Sequence, residues 1–210
     1  MPGQAINTNR KPYLKVIGGN LMQPAAAGDA GAVNREYELP NGSKGNKWEI
    51  PFMNWEGVIQ GITLKEGDFG ETCNIELDDA FIQLNTAGRY FTDFACKIFN
   101  ADLTKPILFH PYDMEIDGKK KTGVSLQQGG QKLKNFFYDG TSNINGFPAV
   151  DPVRSAKKTY WKIYFAEVSE FLVEQLKTLK FEAKSELLKE AESVFAPEEL
   201  KEAELNDLPF

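Results

Sequence analysis

Polar and apolar residues alternate along two neighbouring stretches in the first half of the chain, residues 62–65 and 72–77. Alternation with a period of two is typical of a half-buried β-strand. A short segment containing Gly67 and Gly70 separates the stretches, so together they predict an antiparallel hairpin. Residues 13–23, which are rich in β-branched and aliphatic side chains, predict an earlier strand.

The apolar positions between residues 86 and 103 follow a helical period instead, and Thr86 is the predicted N-cap. Extended character resumes in residues 105–130, which predict two short strands joined around the turn segment 117–123. The predicted order is three strands, a helix and two strands. This is the order of an OB-like five-stranded barrel with its helix between strands 3 and 4, a fold that binds oligonucleotides.

A second helical stripe begins after residue 166, where Val168, Leu172 and Leu176 recur at steps of four. It predicts a long amphipathic C-terminal helix over residues 166–196, ended by Pro197. The stripe either covers the barrel or pairs with a second copy of the chain, which would make the protein a homo-oligomer. The predicted organisation is an OB-like domain over residues 1–165 with a flexible arm over residues 1–11, the helix, and an acidic tail over residues 197–210.

The formal net charge of −6 is distributed unevenly. Residues 1–165 hold 19 basic and 18 acidic side chains, whereas residues 166–210 hold 5 and 12. This asymmetry favours a body that meets a polyanion and a tail that is itself polyanionic. The first residues lack the apolar core of a signal peptide, and no stretch reaches the roughly 18 apolar residues of a membrane span, so a cytoplasmic location is expected, in a bacterium or an infected host cell.

The sequence predicts neither a cofactor nor a metal site. Cys73 and Cys96 lack metal-ligand spacing and are expected to be reduced, buried thiols. Asp78 and Asp79 are neighbours in a predicted strand, where successive side chains point to opposite faces, so they do not form a catalytic pair. His110 is the only histidine and has no nucleophile motif nearby, which favours a structural or nucleic-acid contact. A non-enzymatic protein is therefore predicted.

Binding chemistry has a stronger signal, because basic and aromatic residues are interleaved in three Gly-rich or irregular segments. Lysines neutralise phosphates, and exposed rings stack bases for about 1–3 kcal/mol each. The strongest segment is residues 105–138, of which residues 105–134 hold six Lys and three acids. The predicted DNA-binding residues are Lys44, Lys47, Trp48, Phe52, Trp55, Phe109, Tyr112, Lys119, Lys120, Lys121, Lys132, Lys134, Phe136, Phe137, Tyr138, Lys157, Lys158 and Trp161.

The end of the chain carries a further motif. An acidic stretch closes in Asp207, Leu208, Pro209 and Phe210. This end resembles the C-terminal tip of bacterial single-stranded DNA-binding proteins, a run of acids ending in Asp-Ile-Pro-Phe, and the longer body resembles phage-encoded members of that class. The resemblance implies that these four residues bind replication or recombination proteins through the terminal ring and carboxylate.

These observations predict a protein that binds and protects single-stranded DNA with little sequence preference during replication, recombination or repair, and recruits partners through its tail. Two alternatives stay open. The first is a structural or assembly protein, for instance of a virion. The second is a metal-dependent nuclease that would use Asp78, Asp79, Asp113 or Glu115.

Overall fold

The computed structural model describes residues 11–38, 42–67 and 70–181. They form a mainly β fold with two α-helices. The strands are β1 Tyr13–Ile17, β2 Asn20–Pro24, β3 Val33–Glu38, β4 Lys44–Phe52, β5 Trp55–Gly57, β6 Ile59–Lys65, β7 Thr72–Leu77, β8 Phe81–Asn85, β9 Ile107–Ile116, β10 Lys119–Gln128 and β11 Gln131–Lys132. The helices are α1 Arg89–Ile98 and α2 Lys158–Leu176, and a 3-10 turn covers Arg154–Ala156.

The strands are divided between two sheets. The larger has the order β3-β4-β2-β1-β8-β7-β6 and the smaller the order β11-β10-β9-β5. The chain changes sheet within three residues, because Phe52 pairs with Leu21 in the larger sheet whereas Trp55 pairs with Phe109 in the smaller one. Each sheet ends in edge strands, so the described residues do not form the closed five-stranded barrel that the sequence predicted.

The core lies where the two helices pack against the sheets. Phe91 and Phe94 of α1 are fully buried there. Val168, Leu172 and Leu176 of α2 join the same cluster, each at most 3% exposed. Of the two interpretations of the C-terminal stripe, the described part therefore favours the one in which it covers its own domain.

Helix α2 begins at Lys158. The sequence predicted that the OB-like domain extends to residue 165 and that the helix begins only at residue 166. The rest of the predicted helix, residues 182–196, and the acidic tail, residues 197–210, lie outside the described residues. Residues 1–10 of the predicted flexible arm do so as well. Lys11, its last residue, is anchored through hydrogen bonds to Glu76 and to the carbonyl of Leu77.

Several local predictions are confirmed and others corrected. The β6–β7 hairpin and α1 form as predicted. Residues 13–23 form two strands rather than one, because Gly18 and Gly19 adopt positive φ angles that turn the chain. Thr86 is not the N-cap of α1, since its hydroxyl donates to the carbonyl of Glu71 and Gly88 takes the cap position.

Both cysteines are free and buried, as predicted. Burial raises the pKa of the Cys73 thiol and of the Cys96 thiol to about 12. Within the described ranges, no helix is both long enough and apolar enough to cross a membrane.

Candidate nucleic-acid interface

The outer face of the smaller sheet carries a groove of about 520 Å³, which we call the β9–β11 groove. Strand β9 supplies its floor with alternate residues, and β10, β11 and α1 supply lysines and polar groups around it. The lining residues are Lys97, His110, Tyr112, Met114, Ile116, Lys121, Ser125, Gln127, Lys132 and Leu133. The groove therefore combines ring faces, aliphatic surface and cations.

Strand register separates the charges of the β9–β10 hairpin onto its two faces. Lys121 lies opposite Met114 and Lys119 opposite Ile116, so both lysines belong to the groove side. On the other side, Asp113 forms a 3.1 Å ion pair with Lys120. The acids of this hairpin are thus directed away from the groove, which leaves the groove side electropositive.

The sequence placed the three consecutive lysines in a turn, but they belong to β10. The turn is the pair Asp117 and Gly118, both with positive φ. Lys119 to Lys121 follow it as strand residues, and because side chains alternate along a strand, Lys119 and Lys121 share a face while Lys120 points away. Lys119, Lys121 and Lys132 form no ion pair with any residue in the described part of the chain.

Helix α1 holds the free edge of β10 with two side chains. The carboxylate of Asp93 accepts a 2.7 Å hydrogen bond from the backbone N–H of Val124, and the ammonium of Lys97 donates to the Val124 carbonyl. Asp93 and Lys97 also pair with each other at 2.7 Å. The backbone N–H and carbonyl of Val124 therefore point at α1 and not at β9. Pro111 lies opposite Val124 on β9, so its missing N–H removes no hydrogen bond between the two strands.

The ring of Tyr112 is positioned by the same helix. Its hydroxyl donates to the Asp93 carboxylate at 3.3 Å, and it lies opposite Gly123. A Cβ at Gly123 would come within 2.5 Å of the Tyr112 hydroxyl oxygen and 2.8 Å of the adjacent ring carbon, so only glycine leaves room for the ring. Burial, and then the charge of Asp93, raises the pKa of Tyr112, which keeps its hydroxyl protonated.

A second groove of about 700 Å³ is lined in part by residues 134–136. These residues directly follow Lys132 and Leu133, which line the β9–β11 groove. Lys134 is the cation of the second groove, and Tyr138, which is 46% exposed, is its accessible ring. Asp139 lines it too, and hydrogen bonds from the Ser142 and Thr141 backbone lower the pKa of that carboxyl to about 2. This groove is therefore less favourable for an anion than the first.

Two predicted stacking residues are corrected because they are core residues. Phe109 is 4% exposed and packs against Phe94. Phe137 is 1% exposed and lies among four other rings. A base cannot reach either ring without unpacking the core.

The remaining predicted residues lie in separate places. Phe136 uses one ring face to stack on Phe99. Phe52 packs edge-on against Trp55, whose indole N–H donates to Asp79 at 2.9 Å.

The first of the three predicted segments lies on the β3–β4 hairpin. There Trp48 is 38% exposed, Lys44 pairs with Glu36, and Lys47 lies over the ring of Tyr37.

The third segment lies at the start of α2. Lys157 and Lys158 are exposed, and Trp161, 37% exposed, donates its indole N–H to the carbonyl of Ser155. The structure therefore divides the predicted site, and it brings Tyr112, Lys119, Lys121 and Lys132 together on one sheet face.

Sequence reasoning missed several residues of the β9–β11 groove. Lys97 was counted only as part of a helix, and Ser125 and Gln127 were not considered. A signal existed in β9, where His110, Tyr112, Met114 and Ile116 recur every second residue. The partner-binding residues Asp207, Leu208, Pro209 and Phe210 lie outside the described residues.

Asp78 and Asp79 of the nuclease alternative have structural partners. Asp78 accepts a hydrogen bond from the Val58 N–H, and Asp79 accepts one from Trp55. Both lie in the bend between β7 and β8 rather than in a strand. Across the described ranges, no group of three or more His, Cys, Asp or Glu side chains is arranged to hold a metal ion.

Comparisons with known proteins give no further guide, since no family model, curated protein or solved structure matches this chain.

Proposed function

We propose that the protein binds single-stranded DNA without marked sequence preference, and that the β9–β11 groove is its principal contact surface. The observation that carries the proposal is the convergence of Tyr112 with Lys119, Lys121 and Lys132 on one sheet face whose acids point away. Ring faces stack any base, and unpaired lysines follow the phosphates, so affinity is electrostatic and tolerant of sequence.

The arrangement around the groove supports an OB-like interpretation without a closed barrel. Helix α1 follows β8 of the larger sheet and precedes the β9–β10 hairpin, which is where OB folds place their helix. The acidic C-terminal tail recruits replication or recombination proteins through Phe210 in this proposal, as its resemblance to bacterial single-stranded DNA-binding tips implies.

The test is fluorescence anisotropy of a labelled oligo-dT of about 30 nucleotides across a salt series, with the full-length chain. Three lysines on the groove side, Lys119, Lys121 and Lys132, form no ion pair with the described residues, and they give an expected slope of log K against log salt of about −2. Near-equal affinity for duplex and single strands, or no binding at all, would contradict the proposal.

A matched pair of variants localises the site. Changing Lys121 and Lys132 together to Ala removes two groove cations and should reduce the slope by about 1.4. Changing Lys120 and Lys105 to Ala removes two exposed lysines that are ion-paired outside the groove lining, to Asp113 and Asp102. This control should affect the slope less, and equal effects of the two pairs would move the site elsewhere.

The tail is tested by a chain that ends at Ala196. Oligo-dT binding that persists or strengthens without the tail places DNA binding in the body. Deleting Phe210 alone should abolish binding to a replication or recombination partner while the affinity for oligo-dT stays unchanged.

A second candidate function, assembly, is favoured by one observation on α2. Trp161 and Phe165 are 37% and 55% exposed there, and their ring centroids lie 5.9 Å apart, one helical turn from each other. Exposed apolar side chains that lie close together are typical of a protein interface. Light scattering of the full-length chain and of Phe165→Glu tests it, since an oligomer that dissociates in the variant, without DNA binding, would favour assembly.

A further inference from the structure

The outer face of the larger sheet carries a second set of binding groups that the sequence did not indicate. Register aligns Lys15, Gln83, Asn74 and Thr63 in one row across β1, β8, β7 and β6. Tyr13 and Phe81 stand in the row on one side of it, and Asn85, Thr72 and Lys65 in the row on the other. We call these nine residues the large-sheet face.

The large-sheet face is a depression rather than a flat surface. It holds two grooves of about 450 and 410 Å³, and both are lined by Thr72 and Gln83. The first also contacts Tyr13, Asn74 and Phe81, and the second contacts Lys15. Since the grooves share residues of β7 and β8, a ligand can lie across all four strands.

Two rings form a stacking surface at one side of this face. Tyr13 is 37% exposed, and its ring centroid lies 6.3 Å from that of Phe81. The Tyr13 hydroxyl donates to the side-chain oxygen of Asn74, two strands away, which holds the ring across β8. Lys11 covers the Phe81 ring at 5.5 Å. Tyr13 is therefore fixed in place with ring surface accessible to solvent.

The amide groups beside the rings offer hydrogen-bonding groups to the edge of a stacked base. Asn74 uses its oxygen to accept from Tyr13 and, at 3.2 Å, from the amide nitrogen of Gln83. Within the described ranges this leaves the Asn74 NH₂ group and the Gln83 oxygen without protein partners. A donor next to an acceptor matches the alternating donors and acceptors on the edge of a nucleobase.

Cations stand on the two outer strands of the large-sheet face. Lys15 on β1 and Lys65 on β6 are exposed, are separated by three strand spacings, roughly 14 Å, and form no ion pair with the described residues. Glu66 and Glu76 also line the first groove, and Glu76 is ion-paired with Lys11. The ring and the amides therefore favour a ligand with planar, hydrogen-bonding units, and Lys15 and Lys65 offer positions for its phosphates.

We propose that the large-sheet face is a second contact surface for single-stranded nucleic acid. Tyr13 stacks a base, Asn74 and Gln83 contact its edge, and Lys15 and Lys65 bind the flanking phosphates. The inference rests on the proposed function, because it assigns to this face the same ligand as to the β9–β11 groove. The protein would then contact the strand at two sites.

Photocrosslinking distinguishes the two surfaces directly. The full-length chain is irradiated with a single strand of about 30 nucleotides that carries 5-iodouracil at intervals, and crosslinked tryptic peptides are sequenced by mass spectrometry. Tyr13 lies in the peptide of residues 11–15, whereas His110 and Tyr112 lie in that of residues 98–119. We expect crosslinks in both peptides.

Each other outcome has a defined meaning. Crosslinks in the peptide of residues 98–119 alone would overturn the second surface and keep the proposed function. Crosslinks in the peptide of residues 11–15 alone would make the large-sheet face the principal site and reject the β9–β11 groove. Crosslinks in neither would overturn both.

Affinity measurements supply the quantitative check. Tyr13→Ala should weaken binding of the same strand about fivefold or more, the lower bound for one lost stacking contact. Tyr13→Phe keeps the ring and should retain most of that affinity. Phe165→Ala removes an exposed ring that belongs to neither surface and should leave affinity unchanged. Equal affinities of Tyr13→Ala and wild type would argue against the large-sheet face.

Discussion

The ion pair between Asp93 and Lys97 should contribute far more to stability than its solvent exposure suggests, because it also binds the backbone of β10. In Asp93→Ala, the N–H of Val124, a residue with 0% exposure, loses its 2.7 Å partner. A hydrogen bond to a charged group contributes about 1.5–3 kcal/mol. The partly exposed pair with Lys97 adds up to about 1 kcal/mol. We therefore expect Asp93→Ala to lower the free energy of unfolding by about 1.5–4 kcal/mol.

Urea unfolding followed by circular dichroism measures this loss as a lower midpoint at unchanged m-value. Asp93→Asn keeps an acceptor for the Val124 N–H and should lose only about 1 kcal/mol. The matched control is Glu174→Ala, which breaks a helical ion pair to Lys177 that is closer, at 2.6 Å, but exposed. It should cost under about 0.5 kcal/mol. If Asp93→Ala cost no more than Glu174→Ala, the assigned role of α1 in holding β10 would be refuted.

Three further predictions follow from single positions. Gly123→Ala places a Cβ against the Tyr112 hydroxyl, so it should lower stability by about 1–3 kcal/mol and weaken oligo-dT binding, measured by urea unfolding and anisotropy; unchanged values would show that the ring moves freely. Cys73 and Cys96, whose pKa values are raised to about 12, should resist Ellman's reagent at pH 8 until the chain is unfolded. Since the folded state holds these protons to higher pH than the unfolded state, the free energy of unfolding should fall as pH rises above about 9, and rapid native labelling would contradict this. Asp117 has a φ of +52°, so Asp117→Gly should preserve the thermal midpoint, whereas Asp117→Val should lower it.

Local features of the fold were predictable because the information lies in neighbouring residues. The alternation in residues 72–77 and the helical period around Phe91 and Phe94 specify which side chains share a face, whatever they pack against. The apolar steps from Val168 to Leu176 likewise marked a buried helical stripe. Burial of both cysteines was expected because free thiols without metal-ligand spacing are among the most buried residue types.

The composition of the sites depended on tertiary contacts. Whether an aromatic residue packs in the core or lines a groove is decided by what covers it, so Phe109 is a core residue whereas Tyr112, three residues further along, lines the β9–β11 groove. The turn at Asp117 and Gly118 determines that Lys119 and Lys121 share a face while Lys120 pairs with Asp113. A shift of one residue in the β9–β10 register would move Lys119 and Lys121 to the opposite face of the sheet.

The sequence by itself determined that the chain forms strands, two helices and a hydrophobic core, and that its charge is divided between a near-neutral body and an acidic end. The tertiary structure alone decided that the strands divide into two open sheets, that β1 pairs with β8 in parallel, and that Lys97 meets Tyr112 and Lys132 in one groove. The physical reason is the sequence distance over which each kind of information acts. Periodicity is a property of residues within one or two turns of each other, whereas pairing between strands distant in sequence depends on the packing of the whole domain.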